Sequence, residues 1–408
     1  MTLPLIAADQ KIHDSLTGFI RSDDEMIAVA VSGGGDSMAL LLAMHHYIQK
    51  LDLSVTLVAL TVDHKLRADA AVEAAQVAKW CQKLGVEHHI LEWKFEQMPS
   101  SGVQQKARDA RYQLMGEFCT AQHIEKLFVG HNLEDNAETF LMRLKRGAGL
   151  SGLGSIAQIM QRNVNGQLIE IIRPFLSLKR ADLREYLRQC EQAWFDDVSN
   201  LNEKFERVQI RKFLSENEVL ENENVAQSAS RLARADDALE FYLEEFWQAK
   251  VDFLPLGIAH VRISDFAALP EELQLRLLAR LIWTIGGQDN PPRWQKIEYL
   301  WQQIAGEGRQ FCLGHCLVVK KQQSLWFGYE DRQGFDDKWH KRFGAVNLSQ
   351  KSVQLQSLSM LPEYSDPLLE RHKSLKLCPK VILQSIGIIV ADGKVEISDI
   401  DLELKIRR

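Results

Sequence analysis

The chain has 408 residues, 46% hydrophobic and 25% charged, a globular composition long enough for two or three cores and unlike that of a disordered chain. Lys and Arg number 49 against 55 Asp and Glu, a formal net charge of −6, which excludes coating of nucleic acid through bulk positive charge but not a local basic surface. No run of about 18 apolar residues occurs, the N-terminal stretch lacks the basic and apolar regions of a signal peptide, and the six cysteines show no repeated close pairing. A reduced, cytoplasmic protein with no membrane span is therefore expected.

In the first half, short β-branched runs alternate with amphipathic helical patterns. A buried strand is predicted over 26–31 (MIAVAV), then a glycine turn and a helix over 37–49. A strand over 55–62 precedes a helix over 70–84, which Gly85 ends at its C′ position. Strands over 86–91, 126–130 and 168–172 and helices over 103–120, 136–144 and 179–189 continue the alternation. The pattern predicts an α/β fold with a doubly wound parallel sheet, in which ligands sit beyond the carboxyl ends of the strands.

Near Phe213 the pattern changes. An acidic, Asn-rich linker is predicted over 215–224, helices over 225–249 and 270–283, and short strands over 316–320 and 324–328. Cys312 and Cys316 are placed in a hairpin around Gly314. A polar stretch over 334–343 reads as another boundary. The expected domains are 1–214, catalytic; 215–334, mainly helical with a short β hairpin and in contact with tRNA; and 335–408, a small mixed or β module that also binds tRNA.

The sharpest motif is Ser32-Gly33-Gly34-Gly35-Asp36-Ser37, between a strand and a helix. Three glycines permit close backbone approach and positive φ, so that successive N–H groups and the helix dipole can face a phosphate. It is no Walker A loop, because no Gly-Lys-Ser/Thr follows, and it lacks the dinucleotide spacing. A carboxylate beside phosphates is repulsive unless a metal ion bridges them, so Asp36 is a candidate Mg²⁺ ligand. The bland alternative is a glycine turn with Asp36 or Ser37 as N-cap. The loop resembles that of the N-type ATP pyrophosphatases, the PP-loop superfamily, whose members adenylate a substrate and release pyrophosphate.

Further segments follow in order: Val62-Asp63-His64-Lys65-Leu66-Arg67 with Glu73-Ala74; Ala107-Arg108-Asp109-Ala110-Arg111-Tyr112; Gly130-His131-Asn132-Leu133-Glu134-Asp135-Asn136-Ala137-Glu138-Thr139; Leu141-Met142-Arg143-Leu144-Lys145-Arg146-Gly147; Arg173-Pro174-Phe175-Leu176; and Trp194-Phe195-Asp196-Asp197-Val198-Ser199-Asn200. Together they resemble the tRNA(Ile)-lysidine synthase family over residues 25–215. The resemblance implies that ATP adenylates the C2 oxygen of the wobble cytidine in a CAU-anticodon tRNA(Ile), and that the ε-amine of free L-lysine then displaces AMP. It implies ATP and Mg²⁺ as cofactors.

The residues suit those roles. Asp135 and Glu138 share a helix face at i and i+3, where they could hold Mg²⁺ or an ammonium and accept a proton from an attacking amine. Arg108 and Arg111 are also i and i+3, and a guanidinium fork suits a carboxylate or a phosphate. The resemblance places Asp36 near the ATP phosphates, Asp135 and Glu138 near lysine, Arg111 and Arg108 on lysine, His64 and His131 beside the adenine, and Arg207 among the substrate-binding residues. Asp36, Asp135, Glu138 and Arg111 are the expected catalytic set. Lys65 stands where relatives usually carry Gly, Glu134 and Asn136 replace Asp and Gln, and Val208 stands where Asn is common.

Between Met142 and Arg188 nine basic residues face three acidic ones, and Arg143 and Arg146 are the expected tRNA contacts in it, beside a flexible glycine loop over 147–154. Arg180, Arg184 and Arg188 could instead merely cover a helix at i, i+4 and i+8. Arg371, His372, Lys373, Lys376 and Lys380 form a second, smaller basic group. The alternatives are a PP-loop tRNA 2-thiolation enzyme, which the lack of a CxxC opposes, a non-catalytic tRNA-binding protein, which the intact loop opposes, and an amidotransferase-type synthetase, for which no glutaminase-like segment is present. The oligomeric state is open between a monomer and a homodimer.

Overall fold

The computed structural model describes residues 7–65, 70–94, 103–196, 206–217, 219–254, 257–288, 290–330, 353–357, 378–379, 382, 387–391 and 394–396. They divide into two compact units, 1–236 and 237–408.

The first unit runs α1 (Ala7–Leu16), β1 (Met26–Ala30), α2 (Gly35–Lys50), β2 (Thr56–Asp63), α3 (Ala70–Leu84), β3 (Glu87–Glu92), α4 (Val103–Ala121), β4 (Lys126–Phe128), α5 (Leu133–Lys145), α6 (Leu150–Leu153), β5 (Ile159–Val164), β6 (Gln167–Ile172), α7 (Arg180–Gln189), α8 (Glu206–Glu216) and the start of α9 (Asn222–Lys250). The sheet order is β3-β2-β1-β4-β6-β5, parallel except for β5, which pairs antiparallel with β6. Alternation sets the two faces, since successive strand residues point to opposite sides. Ile27, Val29, Leu57 and Ala59 pack with Ile12, Leu40, Val77 and Leu183, whereas Ala28, Val58 and Leu60 pack with Tyr112, Met115 and Cys119 of α4. Helices cover both faces, as the β-α alternation predicts.

β1 is the switch strand, with β2 on one side and β4 on the other. Connections leave in opposite directions there, opening a crevice at the carboxyl ends of β1 and β4. The segments after those two strands are the phosphate loop and the turn that leads into α5.

Four elements of this unit escape sequence reading: α8, which carries Arg207 and Arg211, and three others. α1 is short, β5 is an exposed polar edge strand, and α6 occupies part of 147–154. The expected flexible glycine loop is corrected accordingly: Ser155 N–H donates to Ala229 O at 3.1 Å and the Ser151 hydroxyl to Asp236 at 2.7 Å. Backbone and side-chain hydrogen bonds hold this stretch.

The second unit takes in the end of α9, then β7 (Asp252–Leu254), β8 (Ile258–Arg262), α10 (Ile263–Ala268), α11 (Glu271–Gly286), α12 (Trp294–Ala305), β9 (Gln310–Leu313), β10 (Cys316–Lys321) and β11 (Ser324–Tyr329). The expected short hairpin is part of a five-stranded antiparallel sheet, β7-β8-β11-β10-β9; β7 and β8, three and five residues long, are too short to show a clear alternation. Cys312 faces Leu317 and Cys316 faces Leu313 across the β9–β10 turn, in which Gly314 and His315 have φ of 56° and 60°. Adjacent register positions point to opposite faces, which keeps the two thiols apart. β12 (Val353–Ser357), β13 (Gly387–Ala391) and β14 (Lys394–Glu396) form a further antiparallel sheet. The basic group from Arg371 to Lys376, with Lys380, and the boundary over 334–343 lie outside the described residues.

Candidate active site

Between the end of β1 at Ala30 and the start of α2 at Gly35, the chain turns through Ser32, Gly33 and Gly34. Gly33 has φ of +83°, and a Cβ there would stand 2.8 Å from the Phe195 ring and 3.0 Å from Val77, so both conformation and space exclude a side chain. Ser37 latches the loop: its hydroxyl donates to Gly34 O at 2.9 Å and accepts from Ser32 N–H at 3.1 Å. The first intrahelical bond runs from Met38 N–H to Gly34 O. The amides of Gly35, Asp36 and Ser37 precede it and point out along the helix axis, at the positive end of the dipole.

Two neighbours hold this geometry. A Cβ on Gly130 would stand 2.8 Å from Asp36 O, so glycine lets the end of β4 close on the first turn of α2. Phe195 N–H donates to Gly33 O at 2.9 Å, and the Trp194 indole lies 3.4 Å from where a Gly35 Cβ would stand. Trp194 and Phe195 thus strap the loop in place. Asp197 to Asn200 of the same segment, and Leu66 with Arg67, lie outside the described residues.

Across the crevice, α5 starts at Leu133 rather than at Asn136, because Asn132 and Asp135 form a reciprocal capping box. The Asn132 side chain accepts from Asp135 N–H at 2.9 Å, and the Asp135 carboxylate accepts from Asn132 N–H at 3.1 Å. Asp135 is 8% exposed and Glu138 1%, far from a solvated helix face. Buried carboxylates require partners, and α8 supplies them. Arg207 donates to Glu138 at 2.5 Å and Asp135 at 2.7 Å, and Arg211 to Glu138 at 2.7 Å. Arg180, from the first turn of α7, lies 3.4 Å from Asp135 and 3.6 Å from Asp36.

Burial pushes the Asp36 carboxyl up to about 6, with Arg180 opposing the rise and Asp135 adding to it. A bound cation would reverse that shift. Among the described residues no group of three or more His, Cys, Asp or Glu could hold a metal by itself. The oxygen donors on hand, Asp36 with Asp135 on the same cavity, fit a hard cation that completes its shell with phosphate oxygens and water.

Ser32, Gly34, Gly35, Asp36, Ser37, Arg111, His131, Asp135 and Arg207 line one cavity of about 660 Å³. Gly33 lies behind the loop and Glu138 behind Asp135. Arg111 approaches His64 Nε2 at 3.4 Å. Burial, and then Arg111, lowers the pKa of His64 to about 4. His131 falls to about 3 through burial and the charges of Arg173, Arg108, Arg207 and Arg111. Both imidazoles are neutral and suited to stacking or hydrogen bonding rather than to anion pairing. Arg108 does not enter the cavity with Arg111; it lies over the Tyr112 ring, 5.4 Å from its centroid.

The basic stretch is largely matched within the chain. Arg143 donates to Gly154 O at 2.9 Å, Lys145 and Arg146 pair with Glu206, Lys179 with Glu223, Arg184 with Asp196, and Arg188 with Glu185. Arg173 is 3% exposed and donates to Ala157 O at 2.7 Å. Arg143 is thus used inside the fold, against the expectation of an RNA-facing side chain.

A family model described as a PP-loop domain matches residues 7–218. The chain is 31% identical to the tRNA(Ile)-lysidine synthase of Wolbachia pipientis wMel over 91% of its own length and 88% of that protein's. The chain belongs to the tRNA(Ile)-lysidine synthase family. The synthase of Novosphingobium aromaticivorans is 36% identical over 64% of this chain and 76% of its own. Among solved structures, the U34-tRNA thiolase NcsA of Methanococcus maripaludis matches at TM-score 0.46 and 17% identity over 56% of this chain and 78% of that one, too slight a likeness to bear on function.

Three of the departures from the family pattern have structural roles. Lys65 takes φ of 51°, the left-handed region that favours glycine, and it reaches Glu92 at 2.8 Å. Glu134 accepts the Arg180 N–H with both oxygens at 3.0 and 3.2 Å, capping α7. Asn136 accepts Ile156 N–H at 2.9 Å. Nothing in the structure explains Val208. Sequence reading missed Arg180 and Arg211 as members of the site. Two signals mark them: Arg211 is i+4 from Arg207, and Arg180 opens a helix shortly after the carboxyl end of a sheet strand.

Proposed function

We propose that this chain converts the wobble cytidine of a CAU-anticodon tRNA(Ile) to lysidine, using ATP and free lysine. The cytidine C2 oxygen attacks the α-phosphorus and pyrophosphate leaves; the lysine ε-amine then attacks C2, and AMP departs with that oxygen. The amides of Gly35, Asp36 and Ser37 bind the polyphosphate at the dipole end of α2. Mg²⁺ at Asp36 would neutralise phosphate charge during pyrophosphate loss. Asp135 and Glu138 attract the ε-ammonium and take its proton as nitrogen attacks, while Arg111 holds the lysine carboxylate. His131 borders the nucleotide as a neutral ring. Arg146 and the second unit contribute to gripping the tRNA.

The observation that carries this reading is the juxtaposition, in one cavity, of a phosphate loop and the Asp135 end of a buried carboxylate pair held by arginine. Two of the three cysteines in the same unit are ill suited to sulfur transfer: Cys81 and Cys119 are buried and pushed up to about 11 and about 12, far from nucleophilic thiolates. The test supplies ATP, Mg²⁺ and labelled lysine to tRNA(Ile) with a CAU anticodon. Lysine incorporation is expected, and none with a UAU anticodon. Absence of transfer beside a working positive control overturns the proposal.

A further inference from the structure

The acidic face carries three carboxylates and three guanidiniums, and the guanidiniums are not held alike. Arg207 and Arg211 make contacts of 2.5 and 2.7 Å with Glu138, at full hydrogen-bond strength. Arg180 reaches Asp135 at 3.4 Å, Asp36 at 3.6 Å and Glu138 at 3.8 Å, longer than a well-formed hydrogen bond to any of them. Its main chain, by contrast, is fixed: the Arg180 N–H donates to both oxygens of Glu134. Lys179, the residue at the N-cap position of α7, gives no side-chain cap of its own. An anchored backbone therefore carries a loosely shared cation, and that cation lines the same cavity as Ser32 and Gly35 of the phosphate loop.

We propose that Arg180 is a positioning residue that opens the acidic face to the incoming amine when phosphate occupies the loop, with Glu134 as its anchor. The proposal rests on the lysine-transfer reading above. Without nucleotide, the Arg180 guanidinium screens Asp36, Asp135 and Glu138 together. Polyphosphate at the loop offers a more highly charged, bidentate partner. As the guanidinium turns to it, Asp135 and Glu138 lose a competing cation where the ammonium must bind. The two sites are then linked, and linkage is reciprocal: amine binding must strengthen nucleotide binding by the same factor. Lysine thus binds more tightly once ATP is bound.

The experiment is equilibrium dialysis of radiolabelled lysine against the full-length protein without tRNA, with and without Mg·ATP, beside ATP binding measured by calorimetry. In the wild type, ATP is expected to raise lysine affinity about tenfold, within the ordinary range of coupling between sites. In Arg180→Ala, lysine binds without ATP as tightly as it binds the wild type with ATP, while ATP affinity falls. A loosened fold would weaken both, so these opposite shifts report the positioning role. In Arg180→Lys, ATP affinity is largely retained, because an ammonium still reaches phosphate; ATP-free lysine affinity rises, because a point charge cannot span three carboxylates. Thermal melts show which variants fold, and Arg180→Lys decides the matter if the alanine variant does not. Unchanged or weaker ATP-free lysine binding in a folded variant overturns the inference. Lysine transfer to CAU-anticodon tRNA by the wild type separates the two claims: transfer with unaltered coupling sinks only this one, and no transfer sinks the proposed function with it.

Discussion

Removing the charge of Glu138 probes the centre of the site. Its carboxylate is 1% exposed and neutralises Arg207 and Arg211, whose side chains are 35% and 32% exposed. Glu138→Gln keeps the shape and one acceptor oxygen but leaves two guanidiniums facing each other across a neutral amide. Breaking a buried ion pair costs about 3–5 kcal/mol, and the partial exposure of the arginines favours the low end, roughly 3 kcal/mol. For a unit of this size that corresponds to a fall in melting temperature of roughly 6–12 °C. Thermal unfolding followed by circular dichroism reads it, and the double variant Glu138→Gln/Arg211→Met sharpens it. Since the second change removes a cation whose ion pair with Glu138 is already broken, the double variant should unfold at a temperature near or above that of Glu138→Gln alone. A melting temperature within 2 °C (about 0.5–1 kcal/mol) of wild type for the single variant, or strictly additive losses in the double, would refute the ion-pair account. Lysine transfer should fall in both variants, because the amine-binding carboxylate is gone.

Three further outcomes follow from the site. Gly33→Ala introduces a Cβ 2.8 Å from the Phe195 ring at a φ of +83°, so ATP affinity measured by calorimetry should fall at least about tenfold as the loop shifts; unaltered affinity would show that the loop tolerates a side chain. Asp36 titrates near 6 in the folded chain against 3.8 for an ordinary Asp, so its ionisation penalises the fold increasingly from about pH 4 to 6 and fully above that. Asp36→Asn should therefore melt higher than wild type at pH 7.5, lose that advantage at pH 4, and lose ATP-dependent turnover by about a hundredfold or more; a lower melting temperature at pH 7.5 contradicts the burial argument. His64 and His131 stay neutral down to about 4 and about 3, so neither should contribute an inflection near pH 6.5 to the profile of lysine transfer, and an inflection there that His131→Asn abolishes would be contrary evidence.

The local parts of this protein are written locally. β1, the glycine loop and α2 follow from a buried apolar run, three glycines and an amphipathic helix, all within residues 26–50; α3 ends before Gly85 because only glycine takes the φ of +69° found there at low cost. The i, i+3 placement of Asp135 and Glu138 is helical periodicity and needs no tertiary information. α5 starts three residues before its predicted start at 136 because a capping box outweighs the apolar pattern at a helix end. Edge strand β5 left no mark in the pattern, because its residues are mostly polar and exposed.

What the tertiary structure alone decides is what those carboxylates meet. Arg180 and Arg207 lie 45 and 72 residues from Asp135, and Arg211 lies 73 from Glu138, and only the docking of α7 and α8 against α5 brings them there. Of the clustered arginines that read as an RNA surface, Arg146, Arg180 and Arg184 pair in the folded chain with Glu206, Asp135 and Asp196. The physical reason is burial: a carboxylate taken out of water needs a cation, and its choice among many in the chain is set by which helices share a wall, a property no local spacing records.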